Sequence, residues 1–274
     1  MDASAVDLIL LAIVGVIAGW INTVAGAGSL LLLPALIFTG LDASAANATN
    51  RLGILATTIA AVLGYRRAGL SIGKSEVVLT AAAMIGGGIG SFVATLLAPE
   101  QMRIAIVIAM GVMLVLSLVP ARRAPAAAPE ERAEEGAVVP EASERERVAR
   151  ARMPTPTAGM IAAFVGIGVY GGFLQAGLGI VVLLYLSIAH GVSLVASNVV
   201  KSTVTLALTI VAIAVFAARG EEIDLVRGGV LAVSSAIGGL VGARATVALG
   251  DRFVRVVVVV AVSASMAKLV FDMI

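Results

Sequence analysis

The chain has 274 residues, 60% of them hydrophobic and only 13% charged, with a mean hydropathy of +1.07 and a formal net charge of +2. A soluble domain carries about 25% charged residues, so an ordinary water-facing globular surface is excluded. The basic residues are scattered at segment ends and in one central stretch, which argues against nucleic acid as a partner, and the absence of cysteine excludes disulfides, thiolate metal sites and thiol catalysis.

Long apolar runs recur, each long enough to cross a bilayer core of about 30 Å. Backbone polar groups in lipid must be bonded internally, and runs of Ala, Leu, Val and Ile with few aromatics indicate helices, not the alternating strands of a barrel. The fold expected is therefore all-α: a polytopic membrane helical bundle whose partners include the lipid bilayer. The N-terminus lacks the basic start and small-residue cleavage site of a signal peptide, since Asp2 and Asp7 lie there, so the first apolar run is expected to belong to the mature fold.

In chain order the hydrophobic segments cover about 5–40, 44–65, 76–98, 102–120, 157–190, 193–217, 227–249 and 253–273. The first and fifth are too long for one straight span, and glycines interrupt both. Residues 120–156 are instead rich in Pro, Ala, Glu and Arg, the composition of a charged linker. This divides the chain into a first transmembrane repeat (1–119), the linker (120–156) and a second transmembrane repeat (157–274). Arg122, Arg123, Arg150 and Arg152 flank the linker, which the positive-inside rule puts in the cytoplasm. Arg66, Arg67 and Lys74 put the loop after the second segment on that same side, whereas the loop around Arg219 and Arg227 mixes acids and bases and decides nothing.

The two halves match at a nearly constant offset. Gly15, Gly19 and Gly26 fall on Gly168, Gly172 and Gly179, and Asn22 falls on Gln175. Asn47 and Asn50 fall on Asn198 and Lys201, and Gly86, Gly90 and Arg103 on Gly238, Gly242 and Arg255. The reading is of two homologous repeats, each beginning with a broken Gly-rich helix. Such repeats mark transporters and place the site where the repeats meet. Single crossings by the broken segments give four spans per half and parallel halves, and double crossings give five and inverted halves. The eight-span count is the one favoured.

Three constellations carry candidate chemistry. In the first, Asn22, Thr23, Gly26, Gly28 and Ser29, answered by Gln175 in the other half, would open a membrane helix and present donors and helix ends to an anion, with close packing through small residues as the alternative. In the second, Asn47, Asn50 and Arg51 share one helix face, as do Asn198, Lys201 and Ser202. A cation inside an apolar segment is costly and marks a function unless it snorkels to the interface. Two such cations near a pseudo-symmetry axis suit a small oxyanion. The third, Gly86 to Gly90 with Gly238 to Gly242, reads as helix packing, and Arg244 beside it as interfacial. Ser29 with His190 makes a poor protease dyad, because His190 lies at a segment end. A metal-cation carrier would need an intramembrane carboxylate, yet Asp42, Glu76 and Asp272 are all terminal. Neither a metal nor a cofactor is expected.

At these motifs the chain resembles the TauE/SafE-type sulfite exporters, also called the toluene sulfonate uptake permease family. The match rests on GWINTVAGAGSLLLLPALIFTGLDASAANATNRLGILATTIAAVLGYRRAG in the first half and YGGFLQAGLGIVVLLYLSIAHGVSLVASNVVKSTV in the second. The resemblance implies a multi-pass transporter of a bacterial-type cytoplasmic membrane, carrying sulfite, a sulfonate such as sulfoacetate, or a related carboxylate anion, with export as the expected direction. It also implies that the residues of the first two constellations bind the substrate. The 120–156 linker exceeds the family's usual central connection. Homo-oligomerisation is left open, and an intramembrane enzyme and a structural protein are the weaker readings.

Overall fold

The computed structural model describes residues 3–67, 69–70, 72–118 and 154–245, with Ser263 and Phe271. Nearly all of the eighth segment and of the linker, and Arg255, lie outside the described residues, as does the side chain of Arg244.

The described chain is helical: α1 (Ala5–Ala25), α2 (Ser29–Phe38), α3 (Ala43–Arg67), α4 (Lys74–Ala94), α5 (Pro99–Leu118), α6 (Ala158–Phe173), α7 (Leu178–Leu184) running into a π turn (Tyr185–Ala189), α8 (Leu194–Arg219) and α9 (Leu225–Ala245). Starts are set by local chemistry. Ser4 and Asp7 form a reciprocal capping box at α1. Asp42 accepts from the backbone N–H groups of Ser44 and Ala45 at α3, Thr157 from Met160 at α6, and Ser193 from Ala196 at α8. Asp224 caps α9 through the N–H of Arg227 and pairs with that guanidinium, which also donates to Thr39 O at 2.9 Å. Burial alone would raise the Asp224 carboxyl; the bonds from Arg227 outweigh it and hold the group below the ordinary aspartate value.

Among the described residues five helices are long and apolar enough to cross a membrane: those at Ala5–Thr23, Lys74–Ala94, Pro99–Leu116, Ala196–Arg219 and Leu225–Gly242. Their outward stripes are apolar, for example Ile9, Ile13 and Ile17 on α1, Ile85, Ile89 and Phe92 on α4, and Ile104, Ile108 and Val115 on α5. A water-facing surface would not carry this on every outer helix. α3 is long but polar, and it buries Asn47, Thr49, Asn50, Arg51, Thr57 and Thr58. This polar face is turned into the bundle.

Glycines let the helices approach at backbone distance. A Cβ on Gly15 or Gly19 would meet Ser234 or Ser235 of α9, and one on Gly238 or Gly242 would meet Val16 or Trp20 of α1. Likewise Gly168 and Gly172 sit on Ala83 and Gly87 of α4, while Gly86 and Gly90 sit on Val165 and Val169 of α6. Each half thus lays its first helix along the fourth element of the other half. The small-residue motifs serve close packing in both places.

These contacts also fix direction. Along α1 and α9 the contacting residues rise together, as they do along α3 and α9 and along α4 and α6. α3 and α8 run oppositely: Arg51 lies over the Phe216 ring, 5.4 Å from its centroid, while Tyr65 bonds to Ser202. The first half therefore enters along α1 and α3, and the second enters the opposite way along α6 and α8. Among the described residues these directions fit the inverted alternative, while the span count includes the eighth segment, which lies almost wholly outside them. The opposed directions have a local cause: after α1 the chain reverses, so that a Cβ on Gly28 would touch Ala18 O and Asn22 Cβ, and α2 packs back along α1.

Candidate substrate site at the crossing of two broken segments

The two helix breaks meet. α1 ends at Gly26, in the left-handed region at φ +70°, and the second break passes Gln175 at φ +61° and Gly177 at φ +66°. The Cα atoms of Gly26 and Gly179, matched to each other in sequence, are in contact: a Cβ on either would come within 2.5 Å of the other's Cα. Ser29 fastens the crossing, since its hydroxyl donates to Gln175 O and accepts from Gly177 N, each at 3.1 Å. A non-glycine residue with positive φ is strained. Gln175 is held there from four directions: its N–H bonds to Tyr170 O, its Oε1 accepts from Arg51, and its Nε2 donates to Thr209 Oγ1 at 2.9 Å and to Thr205 O at 3.4 Å.

The two buried cations perform reciprocal duties. The last carbonyls of a helix have no partner within it and carry its negative dipole end. Arg51 of α3 reaches across to the end of α6, donating from Nη1 to Gly171 O at 2.8 Å and from Nη2 to Gly172 O at 2.9 Å, while Asn47 Nδ2 takes Phe173 O at 2.9 Å. Lys201 of α8 reaches the end of α1, with Nζ 3.2 Å from both Asn22 O and Thr23 O. Each half supplies the cation that caps the broken helix of the other.

Beside the crossing is a cavity with room for about one water molecule. From the first half it is lined by Asn22, Thr23, Gly26 and Ser29, and by the α3 face Ile54, Thr57, Thr58 and Ala61. From the second half come Gln175, Leu178 and Gly179, with Lys201, Ser202 and Thr205 of α8. The sequence candidates therefore divide. Asn22, Thr23, Gly26, Ser29, Gln175, Lys201 and Ser202 are brought together. Gly28, Asn47, Asn50, Arg51 and Asn198 are not part of the lining. Arg51 lies one turn before Ile54 and is turned to the end of α6. Asn50 is fully buried, and its amide atoms bond to no described protein atom.

Thr57, Thr58 and Thr205 were missed from sequence, although helical spacing held the signal: Thr205 lies one turn after Lys201, and Ile54, Thr57, Thr58 and Ala61 form one i, i+3, i+4, i+7 stripe. His190 stacks edge-on against Tyr185, with ring centroids 4.9 Å apart, and does not line the cavity. The Ser29 hydroxyl is occupied by backbone partners, so no Ser–His pair forms.

A family profile described as Sulfite exporter TauE/SafE matches residues 11–269. The chain belongs to the TauE/SafE family. A search of curated proteins finds no match, and neither does a search of solved structures. The match spans both helix breaks, both cations, four of the five apolar spans and most of the first, so the geometry above is that of a multi-pass membrane protein of a sulfite-exporter family.

Proposed function

We propose that this TauE/SafE member moves small sulfur oxyanions, sulfite or a sulfonate such as sulfoacetate, outward across a bacterial cytoplasmic membrane. Substrate binds in the cavity beside the crossing, where Lys201 supplies the charge and the surrounding amides and hydroxyls orient the oxygens. The observation that carries this reading is the Lys201 amino group, buried between the two broken helices, that lines the cavity together with amide and hydroxyl side chains. Burying a cation there without an ion-pair partner is expensive, and an incoming anion offsets that cost.

The cavity is too small for the anion in this state, so the two halves must separate around it. The matching glycines, exchanged helix contacts and opposed directions support inverted repeats rocking about the Gly26–Gly179 contact, an alternating-access cycle. A membrane potential negative inside drives anions out at about 2.3 kcal/mol per charge per 100 mV.

Purified protein in liposomes, assayed for flux of sulfite, sulfoacetate, thiosulfate and acetate, tests the reading. Sulfur oxyanions are expected to move, and Lys201→Gln to lower their rate at least about tenfold, as expected for a lost charge-assisted contact. Transport of acetate alone would assign the chain to carboxylates. Wild-type rates in Lys201→Gln would remove this cavity as the site.

A further inference from the structure

We propose that the preferred substrate carries a single negative charge and a hydrogen-bond donor of its own, read by opposite walls of the cavity. The inference rests on the anion-transport reading above and narrows its substrate class.

Charge sets the first half of the requirement. Among the described lining residues Lys201 alone is charged, because Arg51 is drawn away to the carbonyls of Gly171 and Gly172. A dianion in a small, water-poor cavity would keep one charge uncompensated. Lys201 uses two N–H groups on Asn22 O and Thr23 O, so the third remains for a single anionic group.

The second half comes from where the hydroxyl protons go. Thr57 Oγ1 donates to Gly53 O at 2.9 Å and Thr58 Oγ1 to Ile54 O at 2.8 Å. Thr23 Oγ1 likewise donates to Gly19 O at 3.0 Å. A hydroxyl has one proton, and these three are spent on the preceding turn of their own helix. Towards a ligand in the cavity the Thr57 and Thr58 hydroxyls can therefore act only as acceptors. The α8 wall donates through Lys201, while the α3 wall accepts. Ser29 cannot redress the balance, since its proton is held by Gln175 O.

An anion with acceptors alone satisfies one wall and sets its oxygens against oxygens at the other. Hydrogen sulfite, or a sulfonate bearing a hydroxyl, satisfies both. The pattern survives opening of the cavity, because the threonine bonds lie within one helix and move with it.

Three sulfonates of nearly equal size test this in liposomes holding wild-type protein, by exchange at equal concentration with the potential clamped to zero. Isethionate is a monoanion with a hydroxyl, ethanesulfonate a monoanion without one, and sulfoacetate a dianion. Isethionate is expected to exchange about tenfold faster than ethanesulfonate, the usual scale for one hydrogen bond to a buried partner, and faster still than sulfoacetate. Thr57→Val with Thr58→Val should cut isethionate exchange and bring its ratio to ethanesulfonate towards one. Ethanesulfonate or sulfoacetate exchanging as fast as isethionate in wild-type protein overturns the inference and leaves anion transport standing. If neither these sulfonates nor sulfite moves, the transport reading fails with it.

Discussion

At the scale of single residues, Arg51 and Lys201 have different surroundings although they lie one position apart in the register of the two halves. Arg51 is wholly buried and bonds to two backbone carbonyls, Gln175 and Asn47. Its planar fork can serve several acceptors at once, which an ammonium cannot. Arg51→Ala is expected to leave the end of α6 uncapped in a buried setting and to destabilise the protein by about 3 kcal/mol, seen as a lower midpoint in a thermal melt in detergent. Arg51→Lys should recover only part of this, because one ammonium cannot span Gly171 O, Gly172 O and Gln175 Oε1. If Arg51→Ala melts with the wild type, its place as the cap of α6 is wrong. The presence of a buried cation in each half was legible in sequence, since Arg51 and Lys201 interrupt apolar runs. Which of them lines the cavity was not. Arg51's hydrogen-bond partners in the second half lie 120 to 124 residues away, and Lys201's lie 178 and 179 residues away.

Helix elements meet at a contact that only glycine allows. A Cβ on Gly179 would come 2.4 Å from Gly26 Cα, and one on Gly26 would come 2.5 Å from Gly179 Cα, inside backbone that has no room to yield. Gly26 also needs its positive φ. Gly179→Ala is therefore expected to force the crossings apart, to lower stability by about 2 kcal/mol, and to reduce flux more than a core substitution of equal cost such as one at Leu79, which lies away from the cavity. Equal loss of flux from the two would show that the contact has no role beyond packing. Both breaks were readable from the glycines in segments too long for one span. The reversal after α1 was harder to read, because a glycine run permits either a kink or a turn and the choice depends on what α2 packs against.

For the whole molecule, the exchanged packing of α1 on α9 and α4 on α6 gives the two halves opposite directions. The chain ends α3 on one side and α8 on the other, so the loops after them face opposite compartments. With the linker side cytoplasmic, as its arginines indicate, Lys74→Cys should react with a membrane-impermeant maleimide only from the cytoplasm and Glu222→Cys only from outside. The natural chain has no cysteine to confuse the result. Reaction of both from one side would overturn the opposed arrangement.

The sequence by itself determined the solvent, the class and the family. Mean hydropathy, long apolar runs and glycine placement are local properties, and lipid leaves the backbone few ways to satisfy its polar groups. It also placed the helix breaks and the residues that cluster there, because glycine and a buried charge are conspicuous in an apolar run. Only the tertiary structure decided that each half caps the other's broken helix, that Lys201 and not Arg51 lines the cavity, and that Thr57 and Thr58 of α3 join that lining. Those outcomes depend on which surfaces meet across more than a hundred residues of chain, and no local pattern encodes a partner that distant.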